Sequence, residues 1–265
     1  MAKPDPPTAP KPGTPVRFER PYWTPGIQSS PLHRLLDELS WEGNAKKYRG
    51  GGHRLENVLT TEVFGMLDLL PRPWFLARVI RAAHGADEAR EAAAADADVA
   101  AVEVLHGDLQ PTWLSGNPTG WRIQPDILLD APSSLTYVEA KAARGGRFSA
   151  VQVSRCLQTT LHGAGDRSPL LLLVLGSPPP LPVVGHGRLG LSEALECGLD
   201  AVPPVDAERL RLAADVTIAW ITWQQIASAV EGGLSELPAL NPMVRAGIDR
   251  TAQRLRTAIQ AAVQA

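Results

Sequence analysis

The sequence predicts an α/β protein with a mixed central sheet. Three observations carry that prediction. An amphipathic helical period over residues 55–70 gives way after residue 98 to three short runs with strand character. A helical stretch at 148–162 and a continuous apolar run at Leu170–Leu175 follow. The resulting order, helix, three strands, helix, strand, is that of one α/β domain. At 265 residues the chain suffices for one sizeable core with a tail, and it contains no internal repeat.

Residues 1–30 are proline-rich, with Lys3 and Lys11 among them, and lack apolar periodicity. They are expected to form a disordered tail, leaving 31–265 as the folded domain. A short helix is expected at 31–40, then a loop holding Lys46, Lys47, Arg49 and Gly50–Gly52. That glycine run lacks the GK[ST] continuation of a phosphate-cradling loop.

From Leu55 to Leu70 the residues Leu55, Val58, Leu59, Val63, Met66, Leu67 and Leu70 share a helical face, and Pro71 and Pro73 end the helix. A second helix is expected at 74–84, and the Ala/Asp/Glu-rich stretch 86–98 reads as a helix or a solvated linker. Val99–Leu105, Trp121–Leu129 and Tyr137–Ala140 read as strands separated by turn residues at Gly107, Asn117–Gly120 and Pro132–Ser134. Leu170–Leu175 suits a central strand buried on both faces. A Pro/Gly-rich connection leads to a further strand at Val216–Ile221, with Thr222 placed to cap a helix at 223–230. The last helix, 243–264, is expected to bury Val244, Ile248, Leu255, Ile259 and Val263, with Arg245, Arg250, Arg254 and Arg256 on its other side.

No window approaches eighteen uninterrupted apolar residues, and the N-terminus lacks the apolar stretch of a secretory signal. Cys156 and Cys197 have no zinc-like spacing, so a reduced, cytoplasmic protein is the simplest expectation. The net charge of −2 argues mildly against nucleic-acid binding by bulk electrostatics, although a local positive groove needs no overall excess.

Lysine occurs only at Lys3, Lys11, Lys46, Lys47 and Lys141, so after Lys47 a chain that otherwise relies on arginine keeps one lysine. That lysine closes the triplet Glu139–Ala140–Lys141. Glu139 and Lys141, two apart on a strand, point to one face. Asp126, on the preceding strand, is within reach of it across about 4.8 Å of sheet spacing. Two carboxylates suit a hard, oxygen-seeking ion such as Mg²⁺ or Mn²⁺, which can polarise a phosphodiester and activate a water. A neighbouring lysine can orient or help deprotonate that water and offset charge on the pentacovalent phosphorus. The plain alternative is a surface hairpin with a Glu–Lys pair. It fits poorly, because Tyr137, Val138 and Ala140 leave the strand no clear solvent side.

Gln-Pro-Asp at 124–126, Glu-Ala-Lys at 139–141 and a following helix with Gln152 and Arg155 resemble the PD-(D/E)xK nuclease superfamily, more narrowly its bacterial restriction-like and phage-defence members. The match is close over 100–160 and loose over 55–221. It implies a restriction-endonuclease-like αβββαβ core that hydrolyses phosphodiester bonds in DNA with Mg²⁺ or Mn²⁺. Asp126 and Glu139 would bind metal, Lys141 would be catalytic, and Gln152 would support the site or contact DNA. Val153 and Cys156 depart from the family's usual leucine and aromatic. The family often adds a glutamate from the first helix, a position that Glu56 resembles. Glu62, placed by the helical wheel inside the apolar face, is its rival, and Glu103 on the first strand is a third candidate. The resemblance leaves open a partner protein of a defence system, a homodimer, an RNA- or junction-directed nuclease, and a catalytically silent binding module.

Overall fold

The computed structural model describes residues 55–105, 123–200, 202 and 204–264. The expected tail at 1–30, the helix at 31–40, the Gly50–Gly52 loop and the turn at Asn117–Gly120 lie outside them. The described chain opens with helices α1 (Leu55–Leu69), α2 (Leu76–Arg81) and α3 (Asp87–Asp96). Strands β1 (Ala101–Val104), β2 (Ile127–Asp130) and β3 (Ser134–Ala140), helix α4 (Ala150–Ala164) and strand β4 (Ser168–Leu175) follow. A hairpin of β5 (Leu181–Val183) and β6 (Gly187–Leu189) leads into α5 (Leu191–Leu199) and α6 (Pro204–Thr217). Strand β7 (Ile218–Thr222) and helices α7 (Trp223–Glu236) and α8 (Pro242–Gln264) complete the chain.

Five strands form one sheet in the order β1-β2-β3-β4-β7. The β1–β2 and β2–β3 pairs are antiparallel, whereas β3–β4 and β4–β7 are parallel. The sheet is therefore mixed, and helices cover both faces. Strand β4 shows why its sequence is an unbroken apolar run. Leu170, Leu172 and Val174 pack among α1, α2, α3, α7 and α8, while Leu171, Leu173 and Leu175 pack among α4, α5 and α6. With both faces buried, alternation has no polar side to display.

Thr222 caps α7 as expected. Its hydroxyl accepts from the Gln225 amide at 3.2 Å while Gln225 Oε1 accepts from the Thr222 amide at 2.9 Å, a reciprocal capping box.

Several expectations need correction. The first strand begins at Ala101, and Val99 is exposed. Among the described residues the second strand spans Ile127–Asp130, and Trp121 and Arg122 lie outside them. The connection before the last strand is itself structured, containing β5, β6, α5 and α6. Val216, expected in a strand, is exposed on α6, whose buried Ala207, Leu210 and Ala214 recur at helical spacing. On α8, Ile248, Leu255 and Ile259 are buried as expected, but Val244 is exposed, and the fourth buried residue is Ala252.

Candidate metal centre

The site forms where β3 outruns β2. Strand β2 begins only at Ile127, which pairs with Val138, so no strand of the described chain lies opposite Ala140 and Ala142. Their amides would be orphaned donors, and a buried amide needs a partner. Two carboxylates fill the gap. Asp126 Oδ2 accepts from the Ala140 amide at 2.7 Å. Glu56, in the first turn of α1, accepts from the Ala142 amide through Oε2 at 2.7 Å. On the other edge of β3 the Lys141 amide donates to Val174 of β4 at 2.8 Å.

Glu139 and Lys141 converge as their spacing predicts. Lys141 Nζ donates to Glu139 Oε1 at 2.6 Å and lies 3.5 Å from Glu56 Oε1. Gln152 of α4 reaches the same Glu139 oxygen with Nε2 at 2.5 Å. Glu56, Asp126 and Glu139 each offer an oxygen within 4.8 Å of the others, a carboxylate cluster that can hold a metal ion. Asp126, Glu139 and Lys141 are all buried.

The electrostatics explain why such a cluster suits a cation. Three ionised carboxylates facing one ammonium leave two uncompensated negative charges in a poorly solvated place. Burial raises the Asp126 pKa well above the ordinary range, and the Glu139 charge raises it further against the opposing pull of Lys141. Burial also raises Glu56, against the lowering effects of Lys141 and the Ala142 amide. Burial alone would lower Lys141, but Glu139 and Glu56 outweigh it, so the ammonium holds its proton more tightly than usual. A divalent cation would balance the residual charge, and the oxygen-only donor set fits a hard ion.

A pH dependence follows. Asp126 and Glu56 bind protons more tightly in the fold than in the unfolded chain. Their contribution to the stability of the metal-free protein is therefore complete at acid pH and is lost as pH rises through their raised folded values. A metal must displace those protons. The rise in melting temperature produced by saturating Mn²⁺ should therefore grow between about pH 5 and pH 8. Scanning calorimetry at several pH values checks this; a shift that shrinks with pH would contradict it.

Of the three glutamates considered for the first helix and strand, Glu56 joins the cluster. Glu62 is exposed. The buried face of α1 includes Thr60 and Phe64 beside Leu59, Val63 and Leu67, which turns residue 62 outward. Glu103 sits on β1 opposite Leu128, two strands away from β3, and is outside the cluster.

Other residues shape the site in ways that spacing does not reveal. Trp223 is fully buried, in keeping with core packing, and its indole Nε1 donates to the Lys141 carbonyl at 2.8 Å. The Phe148 ring lies 5.0 Å from Lys141 Nζ, within cation–π range. The Cys156 thiol, buried on α4, stands 3.9 Å from Glu139 Oε2, and burial pushes its pKa well up, so it remains a neutral thiol. Gly146 permits a close turn behind the lysine, since a β-carbon there would lie 2.9 Å from Lys141 Cβ. Trp223→Phe would orphan the buried Lys141 carbonyl and should destabilise the protein by about 1–3 kcal/mol. Urea unfolding checks it, and an unchanged midpoint would mean that the bond contributes nothing.

No helix among the described residues is long and apolar enough to cross a membrane. No protein-family model, curated protein or solved structure matches the chain.

Proposed function

We propose that the chain is a Mg²⁺- or Mn²⁺-dependent nuclease of the PD-(D/E)xK kind, hydrolysing phosphodiester bonds in DNA. One observation carries the reading. Three carboxylates from α1, the approach to β2, and β3 converge around Lys141, the sole lysine of the described residues. A structural salt bridge needs one acid for one base. Three such acids sharing one base are unfavourable in their ionised form unless a cation completes them.

In this reading Glu56, Asp126 and Glu139 hold the ion. The anchored oxygens Glu56 Oε2 and Asp126 Oδ2 face the Ala142 and Ala140 amides, leaving the second oxygen of each for the ion. When bound, Mg²⁺ or Mn²⁺ supplies a Lewis acid that polarises the phosphodiester and makes a water a better nucleophile. Lys141 acts as a donor: its carboxylate neighbours keep it protonated, which favours orienting the water and offsetting phosphorane charge over removing a proton. Gln152 holds Glu139 in place. A setting in bacterial restriction or phage defence, in the cytoplasm and with a partner protein, rests on the sequence resemblance alone.

Incubation of circular, linear and single-stranded DNA, and of RNA, with Mg²⁺ or Mn²⁺ tests the proposal. Metal-dependent DNA cleavage is expected, lost in Asp126→Ala and Lys141→Ala. Cleavage of RNA alone would move the substrate, and cleavage that persists in both variants would remove the site from the chemistry.

A further inference from the structure

The exposed arginines of this protein divide into two groups. Arg81 is tied to Glu91 and Arg211 to Glu196, and the half-buried Arg245 and Arg256 are likewise tied to Asp249 and Glu231. Arg144, Arg147 and Arg188 are exposed and have no carboxylate partner among the described residues. Arg144 Nη1 donates to the Gln264 carbonyl at 3.1 Å, and Arg188 Nη2 makes only long contacts of 3.5 Å to Ser177 Oγ and the Pro178 carbonyl.

The backbone connects these three to the segment that carries Lys141. Arg144 and Arg147 lie on the segment that leaves Lys141. Phe148, next to Arg147, carries the ring that faces Lys141 Nζ, and its backbone docks on the β5–β6 hairpin. The Phe148 amide donates to the Pro182 carbonyl at 2.9 Å, and Pro182 is the register partner of Arg188. Arg147 and Arg188 thus flank β5 at about two strand spacings, on the order of 10 Å. Gly146 and Gly176 fix the segment by close approach, since a β-carbon at Gly176 would lie 2.3 Å from the Ala143 carbonyl oxygen. Arg209 on α6 and Arg250 and Arg254 on α8 are also exposed with no carboxylate partner among the described residues, but no contact ties them to the segment that leaves Lys141.

We infer that Arg144, Arg147 and Arg188 form a phosphate-binding rim that seats the backbone of duplex DNA along the segment leaving Lys141, from the end of α8 at Arg144 to the β5–β6 hairpin at Arg188. The inference rests on the nuclease reading for its choice of polyanion. Guanidinium groups grip phosphate oxygens in pairs and stay charged at any working pH. With no carboxylate partner among the described residues, they meet the substrate without first breaking an ion pair there. Their positive charge also offsets the repulsion that the acidic cluster would exert on an approaching phosphodiester.

The test is binding of a fluorescent DNA duplex in Ca²⁺ at several salt concentrations, for three proteins. These are the wild type, the triple variant Arg144→Ala/Arg147→Ala/Arg188→Ala, and the charge-matched control Arg81→Ala/Arg211→Ala/Arg245→Ala. Three lost phosphate contacts should reduce the slope of log affinity against log salt by about 3 and weaken binding at least ~10-fold at low salt. The control should bind like the wild type, and Mn²⁺ affinity should be unchanged in all three proteins. An unaltered triple variant, an equal loss in the control, or absence of duplex binding by the wild type would each overturn the rim. The nuclease reading fails separately: a rim variant that loses DNA binding, in a protein that never cleaves with any metal, would retain the rim and sink the enzyme.

Discussion

Replacing Lys141 with methionine should destabilise the metal-free protein by about 3–5 kcal/mol, the usual cost of removing one partner from a buried ionic cluster. The substitution keeps the length and apolar stem of the side chain, so packing against Phe148 survives and the effect is electrostatic. Without the ammonium, Glu139 Oε1 loses its 2.6 Å contact and Glu56 loses the cation 3.5 Å away. Three carboxylates then face one another with no compensating charge. Saturating Mn²⁺ should restore much of that loss, because the ion replaces the missing positive charge and binds only the folded site. Cleavage should not return with it, falling at least ~10²-fold, the typical loss when one donor to a developing oxyanion is removed. Urea unfolding with and without Mn²⁺, paired with a cleavage assay, reads both effects. A metal-free variant as stable as the wild type would show that Lys141 compensates nothing.

Asp126→Asn should act in the opposite sense on stability. Asparagine retains a carbonyl oxygen for the Ala140 amide but deletes the charge that burial and Glu139 together disfavour. The metal-free variant should be at least as stable as the wild type. Its response to Mn²⁺ should vanish. A protein made more stable by removing a buried acid, at the expense of metal binding, has the signature of a site selected for function. Melting curves at pH 7 with and without Mn²⁺ decide the matter, and a clear loss of stability in the metal-free variant would reverse the electrostatic argument.

The parts of the site legible in the sequence are those that local geometry places. Asp126, Glu139 and Lys141 lie on neighbouring antiparallel strands and their edges, where spacing and pairing determine which side chains meet. Glu56 was one of three candidates, because its contact with the Ala142 amide spans 86 residues and no periodicity encodes it. The choice between Glu56 and Glu62 depends on the rotation of α1, which the buried Phe64 and Thr60 set. Trp223 was legible as core but not as a donor to the Lys141 carbonyl, a contact across 82 residues. Helices α5 and α6 were lost among prolines and glycines. Ala207, Leu210 and Ala214 carry the helical period of α6, but alanine contributes little apolar signal. Strand β4 was plain because burial on both faces writes an uninterrupted apolar run.

The most direct test of the metal centre is a calorimetric titration of Mn²⁺ into the wild-type protein at pH 7.5, beside Asp126→Asn. The wild type should bind saturably, releasing protons as carboxyls ionise, and the variant should show no binding at that site. Absence of Mn²⁺ binding by the wild type, or equal binding by the variant, would mean that Glu56, Asp126 and Glu139 do not form a metal site.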